Sequence, residues 1–200
     1  MIFDMNIKLE GIDEEFLEDF DELIEDTRVE YFLINPNNID ELKKSQELCR
    51  EYIRFKYTTP TELRELRDEN CVAIKIKDIS ELDLIEDMPI VIDSDKLSDE
   101  LIDSINKTNT RGVVIDAKES DTKLPNFAYS ISHKSLKSWS KKGITDIDYN
   151  QLAIQSDYPD YSYEELIDVH LKEISDLTFR AEQIIASSGT RTLLKTFGLL

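Results

Sequence analysis

Histidine, cysteine and glycine are all scarce in this chain of 200 residues, which contains two His, two Cys and five Gly. Cys49 and Cys71 are far apart and match no paired metal-ligand spacing, so we expect reduced, buried thiols rather than a disulfide framework. Five glycines provide no phosphate-cradling loop, and the serine-rich stretches lack the strand, elbow and helix pattern of a nucleophilic serine. These absences argue against glycine-loop phosphate chemistry and serine hydrolysis.

Positive charge is also in short supply, because 24 Lys and Arg residues face 43 Asp and Glu residues and give a formal charge of −19. Such a field repels phosphate backbones, so a nucleic-acid partner is disfavoured. The basic residues that do cluster fit a solvated helix face: Lys134, Lys137, Lys141 and Lys142. No stretch approaches the roughly twenty apolar residues that span a bilayer, and the first residues lack a basic region followed by an apolar run. We therefore expect a cytoplasmic protein with no membrane contact and with an unidentified protein or small-molecule partner.

The sequence does contain a regular alternation of short β-rich runs and amphipathic helical segments, which is typical of β-α units in a parallel sheet. There are eight candidate strands, the number that closes a barrel: Ile2–Lys8, Val29–Asn35, Ile53–Thr58, Cys71–Lys77, Pro89–Asp93, Gly112–Asp116, Phe127–Ser132 and Gln151–Asp157. Apolar residues at helical spacing predict outer helices between them: Glu14–Asp26, Asn38–Tyr52, Thr61–Asp68, Ser80–Asp87, Ser98–Lys107 and Lys134–Lys142. The segment Lys118–Pro125 is too short and polar for a full helix, so we expect the barrel to be open or thin there.

The C-terminal third departs from this alternation and predicts two consecutive helices, Tyr163–Phe179 and Arg180–Phe197, with a break near Gly189. Four apolar residues would hold the last turns against the barrel: Leu193, Leu194, Phe197 and Leu199. No linker and no internal repeat divide the chain. The prediction is a single α/β domain over residues 1–200, a TIM-like (β/α) barrel.

Acidic side chains end three of the predicted strands, at Asp93, Asp116 and Asp157. In a β/α barrel the reacting groups sit at the carboxyl ends of the strands. Three carboxylates at that rim would repel one another unless a cation intervenes, either a hard metal ion or Lys8. For any one Asp, capping of the following helix is the simpler interpretation. Asp157 is the strongest catalytic candidate, because Tyr158 and Pro159 follow it rather than a helix start.

Several segments resemble the TatD family of metal-dependent hydrolases. Ile2-Phe3-Asp4-Met5-Asn6-Ile7-Lys8-Leu9-Glu10 resembles the family's first strand, hydrophobic-Asp-x-His-x-His-Leu-Asp. Leu152-Ala153-Ile154-Gln155-Ser156-Asp157-Tyr158-Pro159 is similar to its Leu-Leu-x-Glu-Thr-Asp-x-Pro, and Leu194-Lys195-Thr196-Phe197-Gly198-Leu199 to its Ala-x-x-Leu-Phe-Gly-Leu. Residues 72–76 and 88–94 fall where the family has Ala-Ile-Gly-Glu and Leu-Pro-x-x-x-His-Ser. The resemblance implies a barrel whose relatives use one or two divalent ions in nuclease or related hydrolase chemistry.

The resemblance also implies that most metal ligands have been replaced. Carried over residue by residue, the paired histidines become Asn6 and Lys8, and the bridging glutamate becomes Ile76. The two later histidines become Asp93 and Asp116, whereas Asp157 stands as in the family.

Two interpretations remain open for such a site. The preferred one is a degenerate member without hydrolase activity, which serves as a binding or assembly module, needs no cofactor and places the Lys8 ammonium among the acids. The alternative is a divalent-metal-dependent phosphodiesterase with Mg or Mn at Asn6, Asp93, Asp116 and Asp157, since these oxygen ligands suit hard ions. The related metal-free barrel subunit of ribonuclease P is a third comparison, disfavoured by the acidity of this chain.

The two histidines, His133 and His170, occupy no ligand position of the family. His133 either binds an anion at the rim or begins the helix that follows. His170 lies within a predicted helix among charged residues and is predicted to lie on the surface. Neither residue can be assigned as a general base.

Overall fold

The computed structural model describes residues 2–85, 87–108, 110–143, 147–156, 162–178 and 190–200. Eight parallel strands form a closed barrel in chain order, with the first strand beside the last. They are β1 Ile2–Ile7, β2 Val29–Ile34, β3 Phe55–Pro60, β4 Cys71–Lys75, β5 Ile90–Asp93, β6 Gly112–Ile115, β7 Phe127–Ser132 and β8 Leu152–Gln155. The predicted TIM-like barrel is confirmed. It is closed on both sides of β6 and β7, so of the two alternatives expected near residues 118–125 an open barrel is wrong. A thin outer layer is confirmed, because only a short 3₁₀ turn covers β6.

Seven α-helices surround and close the barrel within the described residues. They are α1 Glu14–Glu18, α2 Phe20–Thr27, α3 Ile39–Glu51, α4 Asp99–Thr108, α5 His133–Lys142, α6 Tyr163–Thr178 and α7 Thr190–Thr196. The first predicted helix is split at Asp19, which ends α1 and begins α2. The split allows Phe16 and Phe20, on separate helices, both to be buried.

Short 3₁₀ turns replace two of the predicted helices. Thr61–Leu66 and Ile79–Leu84 adopt this tighter form, and Glu119–Lys123 does so where no full helix was predicted. Segments of this length make too few i→i−4 hydrogen bonds to offset the cost of helix nucleation. The outer layer is therefore thin over β3, β4 and β6.

Two apolar layers hold the barrel together. Alternate side chains along the strands fill its interior: Phe3, Met5, Leu33, Ala73, Val91, Val113, Ile115, Ala128 and Ala153. The opposite faces pack against the helices, where aromatic rings from three elements stack. The Phe32 ring lies 5.1 Å from that of Phe55 and 5.6 Å from that of Phe20.

Helix α7 closes the amino-terminal end of the barrel. Leu193, Leu194 and Phe197 are buried in the interior cluster, and the Phe197 ring lies 5.6 Å from that of Phe3. The predicted packing of the last turns on the barrel is confirmed. The carboxyl ends of the strands form the opposite rim. No helix within the described ranges is long and apolar enough to cross a membrane.

Candidate functional site at the carboxyl rim of the barrel

A partly exposed ion pair joins the ends of β4 and β5 at the rim. The Lys75 Nζ lies 3.1 Å from Asp93 Oδ2, and the two side chains are 17% and 39% exposed. The strands pair with Lys75 beside Val91, which places the Lys75 side chain on the same face of the sheet as Asp93 two residues later. One of the predicted rim carboxylates therefore has an ammonium partner.

A second polar contact crosses β6, β7 and β8. The buried Gln155 side chain donates through Nε2 to Asp116 Oδ1 at 2.8 Å, and its Oε1 accepts from the Asp116 N–H at 3.0 Å. The same Oε1 accepts from Ser130 Oγ at 2.9 Å. Asp116 has a φ of 56°, in the left-handed region that non-glycine residues rarely adopt. The paired bonds with Gln155 hold both the backbone and the carboxylate of Asp116 in this conformation.

An asparagine bridges the first three strands at the same rim. Asn35 donates through Nδ2 to the Met5 carbonyl at 2.9 Å and to Asn6 Oδ1 at 3.1 Å, and its own Oδ1 accepts from Thr58 Oγ1 at 3.0 Å. The Asn6 side-chain oxygen, predicted as a metal ligand, is therefore engaged with another amide.

A buried carboxylate on β1 ties the barrel seam to α6. Asp4 Oδ1 accepts from the backbone N–H groups of Asn6 and Ser156, each at 3.2 Å, and Oδ2 accepts from the Tyr163 hydroxyl at 2.7 Å. Burial raises the pKa of Asp4, and the hydrogen bond from Tyr163 opposes that rise. Burial and the nearby Asp4 also raise the pKa of Tyr163 well above its ordinary value. This contact has a structural role, since it fastens α6 across the junction of β1 and β8.

Both histidines lie between α5 and α6, and the predicted surface position of His170 is wrong. His170 is fully buried, with its ring 6.2 Å from that of His133. Its neighbours one helical turn away, Ile167 and Ile174, are also fully buried, and this apolar face decides its position. Burial, aided by electrostatic repulsion from the nearby His133, lowers the pKa of His170 to about 3. His133 begins α5, and its Nδ1 lies 3.5 Å from Glu173 Oε2.

The other predicted rim residues lie elsewhere or outside the described ranges. Lys8 is exposed just after β1, and the cation beside Asp93 is Lys75 instead. Ile76 is buried in the layer between the strands and the outer helices. Asp157 lies outside the described residues, so its predicted catalytic role stays a prediction. Among the side chains that the structure describes, no three His, Cys, Asp or Glu residues are grouped to hold a metal ion.

The rim residues that the structure describes, Asn6, Asp93 and Asp116, are not arranged to hold the divalent ions that the TatD resemblance implies. Asp93 is neutralised by Lys75, whereas Asp116 and Asn6 direct side-chain oxygens at the amides of Gln155 and Asn35. A metal ion would have to displace each of these partners.

Comparison with protein-family models and with curated proteins finds no match for this chain. Among solved structures, the TatD homologue YjjV from Escherichia coli K12 is similar at a TM-score of 0.72 and 13% identity, over 98% of each chain. A TatD-family hydrolase from Entamoeba histolytica is similar at 0.63 and 12% identity, over 98% of this chain and 97% of that one. A 2,6-dihydroxybenzoate decarboxylase from Rhizobium gives 0.58 and 12% identity, over 99% and 98%. At these identities the comparison establishes the fold, and the resemblance to TatD barrels is confirmed at that level.

Several residues of the site were missed by sequence reasoning. Lys75 shares one strand face with Ala73, so the two-residue period of β4 carried a signal that it points into the barrel. Gln155 and Asn35 carried the same signal, since they follow the interior residues Ala153 and Leu33 by two positions, but their partners in distant strands could not be identified from it.

Proposed function

We propose that this protein is a TatD-like barrel that has lost metal-dependent hydrolase activity and serves as a binding module. The ion pair between Lys75 and Asp93, at 3.1 Å, carries this proposal. A single ammonium beside the carboxylate relieves the repulsion that a divalent ion would otherwise relieve.

The neighbouring oxygen donors support the same interpretation. Activation of a water molecule by a metal requires open coordination positions, with carboxylate or amide oxygens directed at the ion. The side-chain oxygens of Asn6 and Asp116 accept hydrogen bonds from Asn35 and Gln155 instead. Hydrogen bonds to a charged group contribute about 1.5–3 kcal/mol each, so metal entry at Asp116 is opposed by the existing contacts.

The rim retains groups that recognise a polar ligand. The Lys75 ammonium and the Asn35 side chain are both partly exposed at the ring of strand ends. The ammonium would orient a ligand by charge and the amide by hydrogen bonding. A cytoplasmic location belongs to this proposal as well.

Calorimetric titration of Mn, Mg and Zn into chelator-treated protein tests the proposal. We expect no binding that depends on the rim in the wild-type protein, and weak Mn or Mg binding in Lys75→Met, because that change exposes Asp93. Lys77→Met is the matched control, since Lys77 lies two residues away and its Nζ pairs with Glu62 at 2.6 Å on the surface.

Asp93→Asn and Asp157→Ala complete the experiment. Tight metal binding by the wild-type protein that disappears in either variant, together with hydrolysis of a phosphodiester, would refute the loss of hydrolase function. If Lys75→Met binds Mn and Mg no better than the wild type, the ion pair is not what prevents metal binding at Asp93.

A further inference from the structure

A cavity of about 710 Å³ lies outside the strand interior, between α5 and the segment that follows β6. Ser135, Trp139 and Lys142 line it at i, i+4 and i+7, which places them on one face of the helix along about 10 Å. The segment after β6 forms the facing wall. This size is in the range of small-molecule sites.

The charge of this cavity contrasts with that of the whole chain. Lys118, Lys123 and Lys142 line it, against two acids, Asp116 and Glu119, whereas the chain as a whole carries a formal charge of −19. The Asp116 carboxylate keeps its charge although its Oδ1 accepts from the Gln155 amide, so the lining has a net formal charge of +1. A local excess of ammonium groups in a strongly acidic protein attracts a small anion that the remaining surface repels.

The facing wall is fixed before any ligand arrives. Asp121 Oδ2 accepts from the Lys118 N–H at 2.8 Å and from Ser94 Oγ at 2.6 Å, and both Asp121 and Ser94 are buried. Together with the bonds between Asp116 and Gln155, these contacts hold the segment in one conformation. A ligand therefore meets a formed cavity and does not have to order the loop, which lowers the cost of binding.

Hydroxyl groups and an aromatic edge complete the lining. The Ser135 Oγ accepts from Ser132 Oγ at 3.1 Å, which leaves its own proton to donate. Ser135 lies in the first turn of α5, a ten-residue helix whose positive end favours negative charge. Trp139 is 5% exposed and is the one tryptophan of the sequence.

We propose that this cavity binds a small molecule through a phosphate monoester group, held by Lys118, Lys142 and the Ser135 hydroxyl. Three oxygens on a dianionic phosphate match this set of one hydroxyl and two ammonium donors. The inference rests on the proposed function in one respect, namely that the barrel acts as a binding module, and it names the class of ligand.

Trp139 fluorescence reports on this cavity directly, because no second tryptophan contributes to the emission. We would titrate glycerol 3-phosphate and inorganic phosphate into the protein at constant ionic strength. A saturable change in emission is expected, and Lys118→Gln and Lys142→Gln should each weaken binding by roughly fivefold, as expected for one charge at contact distance in water. Lys137→Gln is the matched control, since Lys137 is an exposed lysine of α5 outside the lining.

The outcomes separate this inference from the proposed function. Absence of a saturable signal with both probes, or equal weakening by Lys137→Gln, would overturn the phosphate site while leaving the metal titrations at Lys75 and Asp93 unaffected. Tighter binding of glycerol 3-phosphate than of inorganic phosphate would assign the site to an organic phosphate. The reverse order would assign it to the free ion, and either order upholds the phosphate chemistry if the lysine variants weaken binding.

Discussion

The buried imidazole of His170 makes the stability of this protein depend on pH in a defined direction. In the folded protein the pKa of His170 is about 3, whereas an unperturbed histidine titrates near 6.5. Between these values the unfolded chain binds a proton that the folded chain does not. The free energy of unfolding is therefore not reduced by His170 protonation above about pH 6.5. As the pH is lowered from 6.5 towards 3, it falls by roughly 1.4 kcal/mol per pH unit.

Substitution of His170 by Phe tests this dependence, because the apolar ring fits among Ile167 and Ile174 and does not titrate. Both ring nitrogens of His170 lack a hydrogen-bond partner within the described structure, so the substitution also removes buried polar atoms that cost about 1–3 kcal/mol each. We expect His170→Phe to be at least as stable as the wild type at neutral pH. At about pH 5 its advantage should grow by roughly 2 kcal/mol, because the wild type has by then lost that much.

Urea unfolding of both proteins at about pH 7, 6 and 5 measures the difference in the free energy of unfolding. The two proteins share every carboxylate and His133. The contributions of these groups to the pH dependence of stability therefore largely cancel in that difference. Glu165→Gln, an exposed change on the same helix, is the control for altered α6 charge. A gap between His170→Phe and wild type that stays constant from pH 7 to 5 would refute the reasoning.

Three further substitutions test packing and hydrogen bonding. Tyr163→Phe removes the hydroxyl that donates to Asp4, so we expect a loss of about 1–3 kcal/mol by urea unfolding; an unchanged stability would contradict the role of the seam contact. Gly112→Ala places a Cβ 2.6 Å from the Phe127 ring, so the melting temperature should fall with a cost of about 1–3 kcal/mol, and a stabilised variant would show that the ring moves freely. Leu194→Ala, in the closing helix, should cost about 2–5 kcal/mol by the same assay; a change within error would mean that α7 is not needed for stability.

The barrel could be predicted from the sequence because its strands have a strong local signal. Runs such as Ile90–Asp93 and Gly112–Ile115 are rich in β-branched residues and end in polar segments. The choice between α-helix and 3₁₀ turn at Thr61–Leu66 depends instead on how little sequence joins two adjacent strands, which local spacing does not reveal.

The candidate site was less predictable, because its contacts depend on strand register. The rim positions of Asp93 and Asp116 followed from the end of each apolar run. Their partners, Lys75 and Gln155, lie 18 and 39 residues away in sequence, and a register shift of one residue would turn either side chain away from the rim. His170 was predicted wrongly because its charged sequence neighbours were weighed above its apolar neighbours one helical turn away.

The contact between Phe197 and Phe3 joins the last helix of the barrel to its first strand. At a synthesis rate of roughly 5–20 residues per second, about 10–40 s pass between the synthesis of β1 and the completion of β8 and α7. Throughout that interval the Phe3 and Met5 side chains lack the cover that the finished barrel gives them. The barrel therefore closes only after β8 and α7 have been synthesised.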